Sequence, residues 1–152
     1  MDLKMRMIRC YIFPILLYGM ESWTITNTEL KKIEAFEMWI YRRMLCISWK
    51  DKVRNTEVMA IMGKEQELQL LIKKRKLEYF GHVMRNGEKY KLLHTIIQGT
   101  IDGRRTRGRR RTSWLGNLRE WFECSNESLF RAAEDKDIIS DMIVNVRNRT
   151  RH

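Results

Sequence analysis

Apolar residues recur along this chain at intervals of three and four, a spacing that predicts helices over most of its length. Leu30, Ile33, Phe36, Ile40 and Met44 share one helical face, and Thr26 with Glu29 stands ahead of them in the positions of a capping box. A short helix is expected to follow Asn55 or Thr56, as its cap, through Met62, with Gly63 as its stop. A longer one follows, carrying Leu68, Leu71, Ile72, Tyr79 and Val83 on its inner side and turning Lys73, Lys74 and Lys76 away. Further helices are expected at Tyr90–Ile97, after a cap at Thr112 or Ser113 with Leu115, Leu118 and Phe122 inward, and from Ser125 without a break through Leu129, Ala133, Ile139, Met142, Ile143 and Val146. The run Cys10–Met20, interrupted by Pro14 and Gly19, fits a buried helix end or a short strand, and periodicity does not decide between them.

The fold class that follows is mainly α, a helical bundle-like chain with one proline in 152 residues and enough apolar content, 43%, for a core. Phe36, Ile40, Leu71, Tyr79 and Trp121 are the positions expected to be buried. Four segments are distinguished: 1–63 helical, 64–98 basic and helical, 99–113 an arginine-rich loop or arm, and 114–152 the C-terminal helices. The net charge is +11, and residues 64–111 supply most of it with fourteen basic side chains against five acidic ones. Such an excess favours an anionic partner such as nucleic acid, RNA or DNA, or an acidic membrane surface. The longest apolar run falls short of the roughly 20 residues that a membrane span needs. With no signal peptide and no CxxC pair, Cys10, Cys46 and Cys124 are expected to be reduced and mostly buried in an intracellular protein.

Gly103–Trp114 reads GRRTRGRRRTSW, with six arginines in eight positions: Arg104, Arg105, Arg107, Arg109, Arg110 and Arg111. Guanidiniums so close repel one another, so a phosphate-bearing ligand is the simpler explanation of the arm, with a nuclear-import signal as a compatible use. Lys73, Lys74, Arg75 and Lys76, next to Tyr79 and Phe80, are a second candidate for nucleic-acid contact, against a solvated helix face. Arg42 and Arg43 beside Trp39 are a third, against a core role for the tryptophan. His82 reads as a structural histidine or a phosphate contact, and Arg85 lies one turn beyond it. Glu134, Asp135 and Asp137 point in different directions on a helix and make a solvated face rather than a magnesium site. No Walker loop, GxSxG or HExxH occurs.

LLYGMESWT, AFEMWIYRRMLCISW, RKLEYFGHVMR, GRRTRGRRRTSW and LFRAAEDKD, in this order, resemble the C-terminal part of non-LTR (LINE-type) retrotransposon reverse transcriptases, also called endonuclease-reverse transcriptases. The resemblance covers nearly the whole chain and implies a thumb and post-thumb region of an RNA-directed DNA polymerase. It implies contact with a primer–template, an RNA–DNA hybrid or the element RNA, attachment to upstream palm and fingers, and a nuclear location. The family's catalytic aspartates are absent here, so no catalytic residue and no metal ligand is expected in this chain, and magnesium would belong to the palm. Where many relatives continue AxDRxxW, this chain reads AEDKDIIS, with Ile138 and Ile139 in place of the aromatic anchor. The competing expectation is an inert truncated remnant or a helical protein-interaction module.

Overall fold

The computed structural model describes residues 2–63, 65–99, 107–108 and 112–149, the last four of these by backbone alone. It is mainly α-helical, and among the described residues no strand occurs. Two compact units divide the chain: Met1–Met20 with Ile25–Ile72, and Glu21–Thr24 with Lys73–His152.

The first unit opens with α1 (Asp2–Met7), which runs through a π-helical turn, Ile8–Ile12, into α2 (Phe13–Leu16). Cys10–Met20 is therefore helical up to Leu16, not a strand. Pro14 accounts for the π turn, because its ring has no N–H to give Cys10 and collides with the carbonyl four residues back. Widening the turn lets the Phe13 N–H reach the Ile8 carbonyl instead. α3 (Asn27–Met44) starts on the expected capping box: the Glu29 N–H donates to Thr26 Oγ1 at 3.3 Å and the Thr26 N–H to Glu29 Oε2 at 2.7 Å. α4 (Asn55–Met62) packs on α3 and ends at Gly63, whose φ of 62° is a left-handed stop that a glycine adopts without strain. Met5, Phe13, Leu17, Leu30, Ile40, Val58, Leu68 and Ile72 are among the buried apolar residues of this unit's core. Phe36 and Leu71, expected inside, are only half-buried, since the buried faces of α3 and of the helix that begins at Leu68 centre one position away from them.

Glu37 lies in that core with no exposed surface. Its Oε1 accepts from the Tyr41 hydroxyl at 2.7 Å and the Glu67 N–H at 2.6 Å, and its Oε2 from the Leu68 N–H at 3.2 Å. The carboxylate thus takes up N–H groups that α5 (Leu68–Arg85) leaves unpaired where it begins. Burial lifts the Glu37 carboxyl above its ordinary range, against the pull of those three bonds. Burial, together with the Glu37 carboxylate, likewise raises the Tyr41 phenol.

In the second unit, α6 (Lys91–Gln98) is followed by α7 (Trp114–Phe122), capped by Ser113 Oγ on the Gly116 N–H at 2.9 Å. α8 (Asn126–Glu134) is capped by Ser125 as expected. It does not continue to residue 146. Asp135 leaves the helix at φ −107°, ψ 124°, and its Oδ1 accepts the Asp137 N–H at 2.8 Å, which starts α9 (Lys136–Arg149) in a new direction. α7, α8 and α9 pack on one another around Leu118, Phe122, Leu129, Ala133 and Ile139. Gly81 on α5 sits against the Ile139 side chain with no room for a Cβ. Tyr79 and Trp121 are half-buried rather than core. Cys10 and Cys46 are exposed and Cys124 half-buried, so the expectation of mostly buried thiols is corrected: the first two lie on helix and loop positions that face outward.

Candidate functional site

The side chains expected to bind an anion do not gather in one place. Arg104, Arg105, Arg109, Arg110 and Arg111 lie outside the described residues, and Arg107 is exposed. On α5, Arg75 is exposed, Lys73 is half-buried, and Lys74 faces Glu78 at 3.8 Å, one turn along. Arg85 donates to the Ala133 carbonyl at 2.9 Å, serving the C-terminal turn of α8. His82 is exposed, and its Nε2 lies 3.3 Å from the Tyr90 hydroxyl.

Lys76 is the clearest departure from expectation, because it is wholly buried and so is no surface contact for a ligand. Its Nζ donates to the Trp23 carbonyl and to Asn117 Oδ1, each at 2.8 Å, and stands 4.9 Å and 5.1 Å from the ring centres of Trp114 and Trp121. Burial lowers its pKa from 10.5 to about 8. The signal was in the spacing: Ile72, Lys76 and Phe80 are four apart and share a face, and that face is the inner one.

One sequence-predicted pair does come together with aromatic surface. Arg42 is partly buried, its Nη2 donating to the Val53 carbonyl at 2.7 Å and to Asn55 Oδ1 at 2.8 Å, which ties the end of α3 to the start of α4. One position on, the Arg43 guanidinium lies 5.4 Å from the ring centre of Trp39, and Phe36 stacks on Trp39 at 6.0 Å. Trp39 is 53% exposed, so it is not a core residue. With Trp49, 83% exposed, Trp39, Arg42 and Arg43 line a groove of about 820 Å³ that also takes in Lys52 and Arg54 and, among the described residues, has no acidic side chain in its wall. Cys46 and Lys52, on the same loop, have φ of 58° and 51°, a backbone that side-chain-bearing residues adopt at a cost. Trp49 was not singled out by its sequence; the pairing of Trp39 with Arg43 at i and i+4 was visible.

A second exposed surface was missed altogether. Leu3, Met7, Tyr11, Ile15 and Tyr18 run along α1, the π turn and the end of α2, each more than half exposed. On the same run Met5, Ile8, Phe13 and Leu17 are buried.

No family model, no curated protein and no solved structure matches this chain. It belongs to no family that these comparisons show. The labels reverse transcriptase, retrotransposon, RNA-directed DNA polymerase, endonuclease and thumb are thereby corrected: with nothing matching, they do not carry over to this chain. Among the described residues no helix is long and apolar enough to cross a membrane, and no three His, Cys, Asp or Glu side chains are grouped to hold a metal ion.

Proposed function

We propose that this chain is a helical protein-interaction module that docks through the bare face of α1 and α2. The observation that carries the reading is that this helical run bears two rows of apolar side chains, one buried (Met5, Ile8, Phe13, Leu17) and one exposed (Leu3, Met7, Tyr11, Ile15), with Lys4, Arg6 and Arg9 exposed beside the second. An exposed apolar stripe rimmed by charge marks a contact surface. Leu3, Met7, Tyr11 and Ile15 follow one another at four-residue steps, the pattern into which a partner helix fits. Lys4 and Arg6 are exposed on the same helix, and the chain carries +11, so an amphipathic helix with acidic flanks fits better than a second copy. The test is titration with two model helical peptides, both leucine-rich on one face, one flanked by glutamate and one by lysine. The glutamate-flanked peptide should bind the parent and lose its affinity for Tyr11→Glu/Ile15→Glu. Equal binding by that variant, or a preference for the lysine-flanked peptide, refutes the reading.

A second reading, single-stranded nucleic acid, is favoured by the groove of Trp39, Arg43, Trp49, Lys52 and Arg54. Among the described residues no ring stacks on Trp49, and an indole beside cations suits a base with its phosphate. Anisotropy titrations of a labelled oligonucleotide at several salt concentrations test it. Trp49→Ala should weaken binding without changing the salt slope, Arg43→Gln should lower the slope by about one contact, and unchanged titrations for both refute it.

A further inference from the structure

The surroundings of Lys76 have the make-up of a ligand site with the ligand already attached. Two of the three N–H groups of its ammonium meet oxygen acceptors, the Trp23 carbonyl and Asn117 Oδ1, and two indole rings lie within cation–π range. Asn117 is buried like the lysine, and among the described residues no acidic side chain pairs with Lys76. The charged and titratable residues of the elements that meet here are Glu21, then Lys73, Lys74, Arg75, Glu78, His82 and Arg85 on α5, and Arg119 and Glu120 on α7; none of these forms an ion pair with it. The cation is therefore held by dipoles and ring faces alone. The acceptor at Trp23 belongs to a four-residue segment, Glu21–Thr24, that this unit receives from a distant part of the chain. The same segment has a second attachment, the Trp114 indole N–H on the Glu21 carbonyl at 2.9 Å. Trp114 thus touches both the ammonium and the strap.

We propose that Trp114, Trp121, Asn117 and the Trp23 carbonyl form a cage for a primary alkylammonium, that Lys76 is its resident ligand, and that filling the cage fixes the strap Glu21–Thr24 on the second unit. The cage selects a primary ammonium over a quaternary one because only a group with free N–H donors can serve both oxygens while presenting charge to the indoles, and a quaternary ammonium has none. Burial brings the lysine's pKa down to about 8, so the occupant is still mainly the ammonium at neutral pH.

The experiment empties the cage and refills it from solution. Lys76→Ala removes the side chain beyond Cβ, which is n-propylammonium in shape and charge. Cleavage by chymotrypsin after Trp23 should accelerate by about tenfold in this variant as the strap opens locally. Millimolar n-propylammonium should restore the parent rate, whereas n-propanol and tetramethylammonium should not. Parent-like cleavage in Lys76→Ala, or equal rescue by n-propanol, overturns the proposal. Should Lys76→Ala not fold, the parent decides through its lysine Cε resonances: one should be displaced by the two indole rings and titrate near a pH of about 8. Lysine signals that all share an ordinary shift and midpoint overturn the proposal equally.

Discussion

Glu37 and Lys76 are both wholly buried, one in each unit, and their surroundings are built in opposite ways. The carboxylate draws two of its three donors from consecutive residues at the start of a single helix, Glu67 and Leu68, 30 and 31 positions away. The ammonium takes its oxygens from two unrelated places, 53 residues back at Trp23 and 41 residues on at Asn117, and adds two aromatic rings. The difference follows from what a helix leaves unpaired. Its first N–H groups make a ready site for an anion, whereas a cation in mid-helix finds every nearby carbonyl already used and must recruit acceptors through tertiary structure.

Removing each charge measures that difference. Glu37→Leu leaves two backbone N–H groups and the Tyr41 hydroxyl without an acceptor, and should destabilise the protein by about 3–5 kcal/mol in urea unfolding. Lys76→Met leaves two oxygens unpaired, which buried structures tolerate better than bare N–H groups, and should cost about 1–3 kcal/mol. An equal or reversed order would break the comparison.

The pH dependence should carry opposite signs at the two sites. A carboxyl raised above its ordinary value holds its proton longer when folded, so stability from Glu37 falls as pH rises from about 4.5 through its folded pKa. A lysine lowered to about 8 is deprotonated first in the folded state, so stability rises between about 8 and 10.5. Thermal midpoints of the parent across both windows, each referred to Glu37→Gln or Lys76→Met, should show the two slopes and lose one in each variant. The smallest effect is expected two residues from the cage. Lys74 meets Glu78 at 3.8 Å with both side chains about half exposed, and Lys74→Ala should change stability by no more than about 0.5 kcal/mol. A larger loss would mean that position on α5, rather than burial, sets the worth of a lysine here.

Local signals were the legible part of this fold. Thr26 with Glu29, Gly63, Ser113 and Ser125 all mark helix ends where residue chemistry alone decides, whereas Asn55, expected as a cap, is the first residue of α4 and gives its Oδ1 to Arg42 instead. The break at Asp135 was hidden because apolar spacing continues across it while the backbone does not. Lys76 was misplaced because a charged residue counts as polar in any periodic reading, and only tertiary partners make its burial tolerable. The groove was half legible: Trp39 and Arg43 are one turn apart on α3, but Trp49 reaches it through a loop whose shape depends on left-handed Cys46 and Lys52. The bare face of α1 could not be read at all, since an apolar stripe looks the same whether or not it is covered.

The strap also sets an order of events during synthesis. Met1–Met20 and Ile25–Ile72 can pack as soon as residue 72 is available, but Glu21 waits for Trp114, 93 residues further along the chain. At roughly 5–20 residues per second, a ribosome that has reached residue 72 needs on the order of 2–8 s more to supply that partner. During that interval the four residues are tethered at both ends to a unit that already has its full sequence, with the carbonyls of Glu21 and Trp23 still turned to water. The second unit consequently cannot be completed by its own contiguous chain, and a nascent product stopped before Trp114 should hold the first unit folded with the strap open to protease.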